Sequence, residues 1–344
     1  MRVHDPPLAS HSLGQGVFCA DPDPQLENFM QKFYRHSSIR LTSCAIALAM
    51  LASVKGARGC ACGCDIFEIG TSSMFPNRAG GMVFIDYDFQ DQNQNWSGTS
   101  TAPASHNDDK EIKTDFTDFG LQYLFNASWG IQLEVPYNFR SFTTKTDTGK
   151  IVTDRWNQFG DVRIEGLYTG FSADLSAGVN LGVKLPTGDY KFDANVVDRD
   201  TQLGTGSTDL LMGGFYRHHV SLRARLYWFA QTELDLPVVT QEHYRPGLEL
   251  DSALGMYYSG WKVGRAKVSP VAQVIISERT SDGGGASAHP VASGFQRVLI
   301  SPGLEVDVHP MKFYADAEVP VYQNFVGNQI TAPVLIKATV AYEF

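Results

Sequence analysis

The sequence predicts an all-β protein: a closed antiparallel transmembrane β-barrel of about twelve strands, preceded by an N-terminal signal peptide. Three observations predict it. From Gly81 to Phe344, apolar side chains recur at every second position in a series of short segments. The links between these segments alternate between long and short, and aromatic residues gather beside the short ones.

The first element is the signal. Residues 41–54, LTSCAIALAMLASV, form an apolar run too short to span a bilayer as a helix. Lys32, Arg35 and Arg40 precede it, and the small residues Ala57 and Gly59 follow. A basic segment, a short apolar run and a small-residue cleavage site make a secretory signal. Met30 is a natural start for it, which makes residues 1–29 an upstream extension. The expected organisation is therefore residues 1–59 as extension and signal, 60–80 as a cysteine-containing segment that plugs or anchors, and 81–344 as the barrel.

The strands follow in order. VFIDYDF sets Val83, Ile85, Tyr87 and Phe89 on one face, with Asp86 and Asp88 on the other. TDFGLQYLF sets Phe119, Leu121, Tyr123 and Phe125 against Asp118, and WGIQLEVPYNFR sets Ile131, Leu133, Val135, Tyr137 and Phe139 against Glu134 and Arg140. DVRIEGLY opposes Val162 and Ile164 to Arg163 and Glu165. LSAGVNLGVKLP opposes Leu175, Val179, Leu181 and Val183 to Asn180 and Lys184. TDLLMGGFYR carries Leu210, Met212 and Tyr216 on its apolar side. LYWFAQTELDL sets Glu233 and Asp235 against Trp228 and Leu234, and LELDSALGMYY sets Glu249 and Asp251 against Leu250, Leu254 and Met256. VSPVAQVIIS, RVLISPGLEVD, FYADAEVPVY and the final LIKATVAYEF complete the set.

No Asp, Glu, Lys or Arg falls on the apolar face. The opposite face carries the candidate lumen residues: Asp86, Asp88, Asp118, Glu134, Arg140, Arg163, Glu165, Lys184, Glu233, Asp235, Glu249, Asp251, Arg297, Glu305, Asp307, Asp316, Glu318 and Lys337. A soluble sandwich also alternates, but the connections favour a barrel in lipid. Long polar links are expected near 97–112, 143–158, 187–206, 237–246, 280–294 and 323–329, with short turns between them, the pattern of long outer loops and short periplasmic turns. Tyr123, Phe125, Trp129, Tyr168, Tyr216, Tyr258, Trp261, Phe313, Tyr342 and Phe344 beside the short turns form the expected periplasmic girdle. Pro136, Pro270, Pro302 and Pro320 fall inside proposed strands and call for bulges or strand ends.

Composition narrows the function. A formal net charge of −9 over 344 residues argues against a nucleic-acid binder. No phosphate-binding GxxxxGK[ST], no HExxH and no paired CxxC occurs. GTGSTD at 204–209 is glycine-rich but lacks the lysine and following helix of a phosphate loop. Cys60, Cys62 and Cys64 form C-x-C-x-C, open to disulfide or free-thiol chemistry, to lipidation of Cys60 or to a soft metal; they are weak metal candidates. The histidines fall in loops and turns, where a solvated role is the plain reading.

Several phrases, FGDVRIEGLY, GVKLPTGDY, LGTGSTDLLMGGFY, SPGLEV and PVYQNFVGNQI, resemble the MetA-pathway-of-phenol-degradation family of Gram-negative outer-membrane barrels over roughly residues 80–344. The resemblance implies an outer-membrane channel or transporter of small, often aromatic, molecules, and implies that the C-terminal strand with its final aromatic engages the outer-membrane assembly machinery. The expected function is thus a passive channel for small, aromatic or cationic solutes, not an enzyme, without cofactor, with membrane lipid and solute as partners and no nucleic acid. The alternatives are a barrel plugged by residues 60–80 that serves structure or senses metal or redox state, and an outer-membrane hydrolase.

Overall fold

A computed structural model describes residues 75, 78–146, 148–192, 197–221, 223, 225–284 and 292–344. The proposed signal, Cys60, Cys62, Cys64 and His289 lie outside the described residues.

The fold is a closed antiparallel β-barrel of twelve wall strands. They are β1 (Gly80–Gln92), β2 (Asp109–Leu124), β3 (Trp129–Lys145), β4 (Ile151–Phe159 and Val162–Tyr168), β5 (Ala177–Leu185), β6 (Ser207–Ser221), β7 (Leu226–Thr240), β8 (Glu249–Tyr258), β9 (Ala266–Arg279), β10 (Phe295–Val308), β11 (Met311–Thr331) and β12 (Leu335–Glu343). Each strand pairs with the next in sequence, and β12 returns to β1 with Val83 opposite Tyr342, Ile85 opposite Val340 and Asp88 opposite Lys337. Gly81 and Phe344 exchange backbone hydrogen bonds of 3.0 and 2.8 Å at the seam. Lipid offers no partners for backbone N–H and C=O groups, so a sheet that spans it has to close in this way.

Side chains alternate as the period of two requires. On β12, Leu335, Lys337, Thr339 and Ala341 are buried inside while Ile336, Val340 and Tyr342 are exposed on the outer wall. On β5, Val179, Leu181 and Val183 are exposed beside buried Lys184. Aromatic residues ring the short-turn end: Tyr123, Phe125, Trp129, Phe171, Tyr216, Trp261, Phe313, Tyr342 and Phe344 are all exposed. Tyr137, Phe139 and Phe159 pack together nearer the long-loop end, with centroid separations of 5.3 and 5.0 Å. From Trp129 to Phe139 is roughly ten residues, about what a tilted strand needs to cross the apolar core.

Three of the four prolines sit where the ladder is interrupted, while Pro270 stays in register opposite Leu304. β4 breaks at Gly160 and Asp161 opposite Pro136, whose carbonyl accepts a 3.0 Å bond from the Gly160 N–H. The register of β3 with β4 slips by one residue across this break, from Tyr137 opposite Phe159 to Glu134 opposite Arg163. The β10–β11 register shifts between Val298 and Leu299, opposite Tyr322 and Pro320, and it skips Ser301 and Pro302. Both bulges admit a residue that cannot donate to the ladder.

Three sequence expectations change. Residues 143–158 are mainly strand, because β3 and β4 run on as a paired hairpin beyond Phe139. Residues 323–329 belong to β11, whose outer end pairs with a ribbon at Gln94–Gly98 from the β1–β2 connection. Polar strands outside the membrane have the composition of loops, so alternation there carries little signal. Leu175 is not on the lipid face; it lies in the β4–β5 turn at φ 54°, buried with Leu124 and Leu167. Gly178 faces inward but has no room, since a Cβ there would stand 2.5 Å from Phe215 Cε1.

Leu181→Arg and Leu254→Arg should each cost about 2–4 kcal/mol if they lie near the bilayer midplane, while Leu→Met at the same positions should be nearly neutral. Urea titration of the barrel folded into phospholipid vesicles reads the difference.

Candidate functional site

The barrel interior is not evenly filled. On the β8–β11 side, Ala253, Val271, Ile275, Phe295, Leu299 and Phe325 pack into one buried cluster with Leu335 of β12. Toward β1–β7 a cavity of about 120 Å³ remains. Inward residues supply a charged belt, with at least one charged side chain from each wall strand. Its carboxylates are Asp86, Asp88, Asp118, Glu134, Glu165, Asp209, Glu233, Asp235, Glu249, Asp251, Asp316 and Glu318; its basic groups are Arg163, Lys184, Arg279, Arg297 and Lys337.

Strand register sets the order around the belt. Asp316 stands opposite Lys337, Lys337 opposite Asp88, and Asp86 opposite Asp118. Glu134 stands opposite Arg163, Arg163 opposite Lys184, and Lys184 opposite Asp209. Glu233 faces Asp251, Asp235 faces Glu249, and Glu249 faces Arg279.

The basic groups of β4 and β5 are tightly engaged. Arg163 donates to Glu233 at 2.5 Å and lies 3.7 Å from Glu134. Lys184 reaches Asp235 at 2.5 Å and Asp209 at 2.8 Å. Asn180 donates to Glu165, and to Glu233 at 3.2 Å. On the packed side, Asp316 Oδ2 accepts from Ser301 at 2.6 Å, Tyr314 at 2.7 Å and Gln273 at 3.1 Å. Arg279 approaches Glu249 at 4.0 Å and Asp282 at 3.2 Å.

Of the residues singled out from the sequence, Asp86, Asp88, Asp118, Glu134, Arg163, Glu165, Lys184, Glu233 and Lys337 border the cavity. Glu305 and Asp307 border a second chamber of about 300 Å³ at the short-turn end. Glu249, Asp251, Arg297, Asp316 and Glu318 are buried in the packed side, and Asp235 stands behind Lys184. Arg140 sits higher, donating to Thr114 at 2.9 Å and to the Thr201 and Gln202 carbonyls at 2.8 and 3.3 Å. Asp209 and Arg279 were absent from the sequence selection, although each occupies the inward position of its strand by the same alternation.

Arg140 holds a cap. The β5–β6 connection folds inward and places Leu203 among Ile112, Phe142, Trp156 and Ile330, from β2, β3, β4 and β11. Phe192 stacks on Trp156 at 5.1 Å. Asp161, turned inward by the β4 bulge, fixes both legs of the connection: it accepts from Gly188 N at 2.9 Å, Thr205 N at 2.8 Å and Thr205 Oγ1 at 2.5 Å. The legs touch at Gly188 and Gly204, where a Cβ on Gly204 would stand 2.5 Å from Gly188. Gly204 of GTGSTD therefore serves close backbone approach, and Gly206 takes a left-handed φ of 64°. Arg199 lies over the rings of Tyr190 at 4.7 Å and Tyr244 at 4.4 Å, and burial there holds its guanidinium below the usual arginine range. At the other end Phe75 is buried against Phe215 and Phe229, at 5.1 and 5.4 Å, and borders both the cavity and the chamber.

Among the described residues no group of three or more His, Cys, Asp or Glu is placed to hold a metal ion. His218 and His219 lie beside Tyr216 and Tyr227, and His309 lies 3.7 Å from Glu343.

No protein-family model matches the chain, and no curated protein matches it. Among solved structures it is similar to the COG4313 outer membrane channel from Pseudomonas putida F1, at 10% identity and TM-score 0.61, over 80% of this chain and 100% of that one. It is also similar to the CymD monoaromatic hydrocarbon channel, at 10% identity and TM-score 0.41 over 81% and 94% of the two chains. A Pseudomonas aeruginosa FadL homologue gives 8% identity and TM-score 0.39 over 81% and 93%. Likeness of the first at such identity shows the fold alone, and the latter two are too distant in shape to carry an argument. The fold is that of the Gram-negative outer-membrane β-barrels; membership of the phenol-degradation family is not shown by these comparisons.

Arg163→Met should leave Glu134 and Glu233 buried without their countercharge and cost about 3–5 kcal/mol. Glu233→Met added to it should recover a substantial part. A double-mutant cycle in urea, read by refolding into vesicles, checks both signs.

Proposed function

We propose that the chain is an outer-membrane channel for small solutes that favours neutral and cationic molecules over anions. One observation carries the proposal: carboxylates outnumber basic groups twelve to five around the belt, and six to three among its members that border the cavity. Rings of acidic side chains ease the entry of cations and oppose anions. Barrels larger than about eight strands have room inside for a ligand or a passage. Likeness to a protein described as an outer membrane channel supports transport, as does the sequence resemblance to the phenol-degradation barrels. On this reading the chain performs no catalysis, and residues 81–344 are the transporting unit. The C-terminal strand, ending in Phe344, is the segment that the assembly machinery would engage.

A second reading has one observation in its favour. Phe75 lies inside the barrel between the cavity and the chamber, which fits residues 60–80 as a plug in a barrel of structural or sensing role.

Reversal potentials across planar bilayers under a salt gradient test the first reading. Cation preference is expected, weakening as salt screens the lumen, and Glu233→Gln combined with Asp235→Asn should reduce it. Anion selectivity would refute the reading. A silent protein that becomes conducting on Phe75→Ala would favour the plugged barrel.

A further inference from the structure

The charges around the cavity are unevenly committed. Across β4, β5 and β7, Arg163 and Lys184 are each held by two carboxylates. Across β1 and β2, Asp86, Asp88 and Asp118 stand together with Lys337 as the basic group bordering the cavity on that side. Asp86 and Asp88 share that one ammonium with Glu318 and Asp316, which leaves the wall short of positive charge.

Asp88 shows the shortage most directly. It is 1% exposed, it borders the cavity, and its Oδ1 accepts no hydrogen bond from the described residues. Asp86 Oδ1 is in the same position. A buried carboxylate oxygen without a donor is costly, and such groups are ordinarily met by a partner.

The cavity also has an apolar part beside these carboxylates. Phe116 stands directly opposite Asp88 in the β1–β2 register, and Phe215, Leu167 and Phe75 border the cavity among the polar and charged side chains of β3–β7. Leu203 and Thr205 of the cap border it as well. Its volume, about 120 Å³, is on the scale of the ~150 Å³ cavities that accept one benzene ring. Acidic oxygens beside aromatic faces are the chemistry that holds an ammonium group attached to an apolar body, through charge-assisted hydrogen bonds and cation–π attraction.

We propose that this cavity is a binding site for a small organic monocation, with its ammonium group between Asp86 and Asp88 and its apolar or aromatic body against Phe116 and Phe215. The proposal rests on the interior being a solute path, and it names the class of solute that pauses there.

The test measures binding, not current. The full chain in lipid nanodiscs is titrated calorimetrically with benzylammonium, benzyl alcohol and benzoate, which share a ring and differ in charge. Benzylammonium should bind at least about tenfold more tightly than benzyl alcohol, with benzoate weakest. Asp86→Asn combined with Asp88→Asn should remove that advantage, and Phe116→Ala should weaken benzylammonium while leaving methylammonium unchanged. If the double variant does not fold, wild type decides: added salt should weaken benzylammonium binding and spare benzyl alcohol. Equal binding of the three probes, an unchanged affinity in a folded double variant, or salt-independent benzylammonium binding would each overturn the site. A chain that conducts but fails these titrations loses the site and keeps the channel reading; one that binds but never conducts does the reverse.

Discussion

Unpaired backbone groups cannot be left in lipid, and the rest of this structure depends on that constraint. It requires β12 to meet β1, and the meeting fixes which residues face inward on every strand. Once Asp88 stands opposite Lys337 and Asp86 opposite Asp118 across the seam and its neighbour, the polar side chains of all the strands are gathered into one enclosed space. A charged residue that would be unremarkable on a sandwich surface becomes part of a belt, and the belt's balance becomes a property of the whole circumference.

The interior divides that belt into two working environments. Toward β8–β11, apolar side chains such as Ile275 and Leu299, both fully buried, press the charges of Arg297, Glu318 and Asp316 into the wall. There the network ties strands together, as the three hydrogen bonds to Asp316 Oδ2 illustrate. Toward β1–β7 the same class of residue meets open space, bounded by Leu203 of the cap and by Phe75. Asp161 links the two levels of organisation. The β4 bulge, compatible with Pro136, turns its side chain inward to hold the base of the cap. Breaking the ladder at one point of the wall thus positions a loop that packs inside the barrel.

Much of this was legible in the sequence, and the reason is the period of two. Ile336, Val340 and Tyr342 against Lys337 and Thr339 can be read without coordinates, because lipid tolerates no charge on the outer face. Legibility fails where that pressure is absent. Residues 143–158 and 323–329 read as loops because strands beyond the membrane are polar on both sides. VAQVIIS places Ile275 on one face with Val271, Gln273 and Ser277, and that mixed face does not show how far the interior is filled there. Leu175 continues an apparent alternation into a turn. The inward fold of the β5–β6 connection is invisible for another reason: Leu203 packs against Ile112, Phe142 and Ile330, partners far away in sequence that only closure brings near. Asp209 and Arg279 were within reach of the alternation argument, since Asp209 precedes outward Leu210 and Arg279 continues the face opposite outward Val274 and Ile276.

The central claim is that the belt faces an aqueous space whose potential favours positive charge, and chemical access to one belt-level position tests it. Gln132 borders the cavity; it can be replaced by cysteine in a chain whose five native cysteines are serine. The reaction rates of that thiol with a cationic and an anionic methanethiosulfonate of similar size would then be compared in proteoliposomes. The account predicts that the cationic reagent reacts several-fold faster, with the ratio falling toward one as salt is raised. A faster anionic reagent, or a thiol that neither reagent reaches, would contradict it.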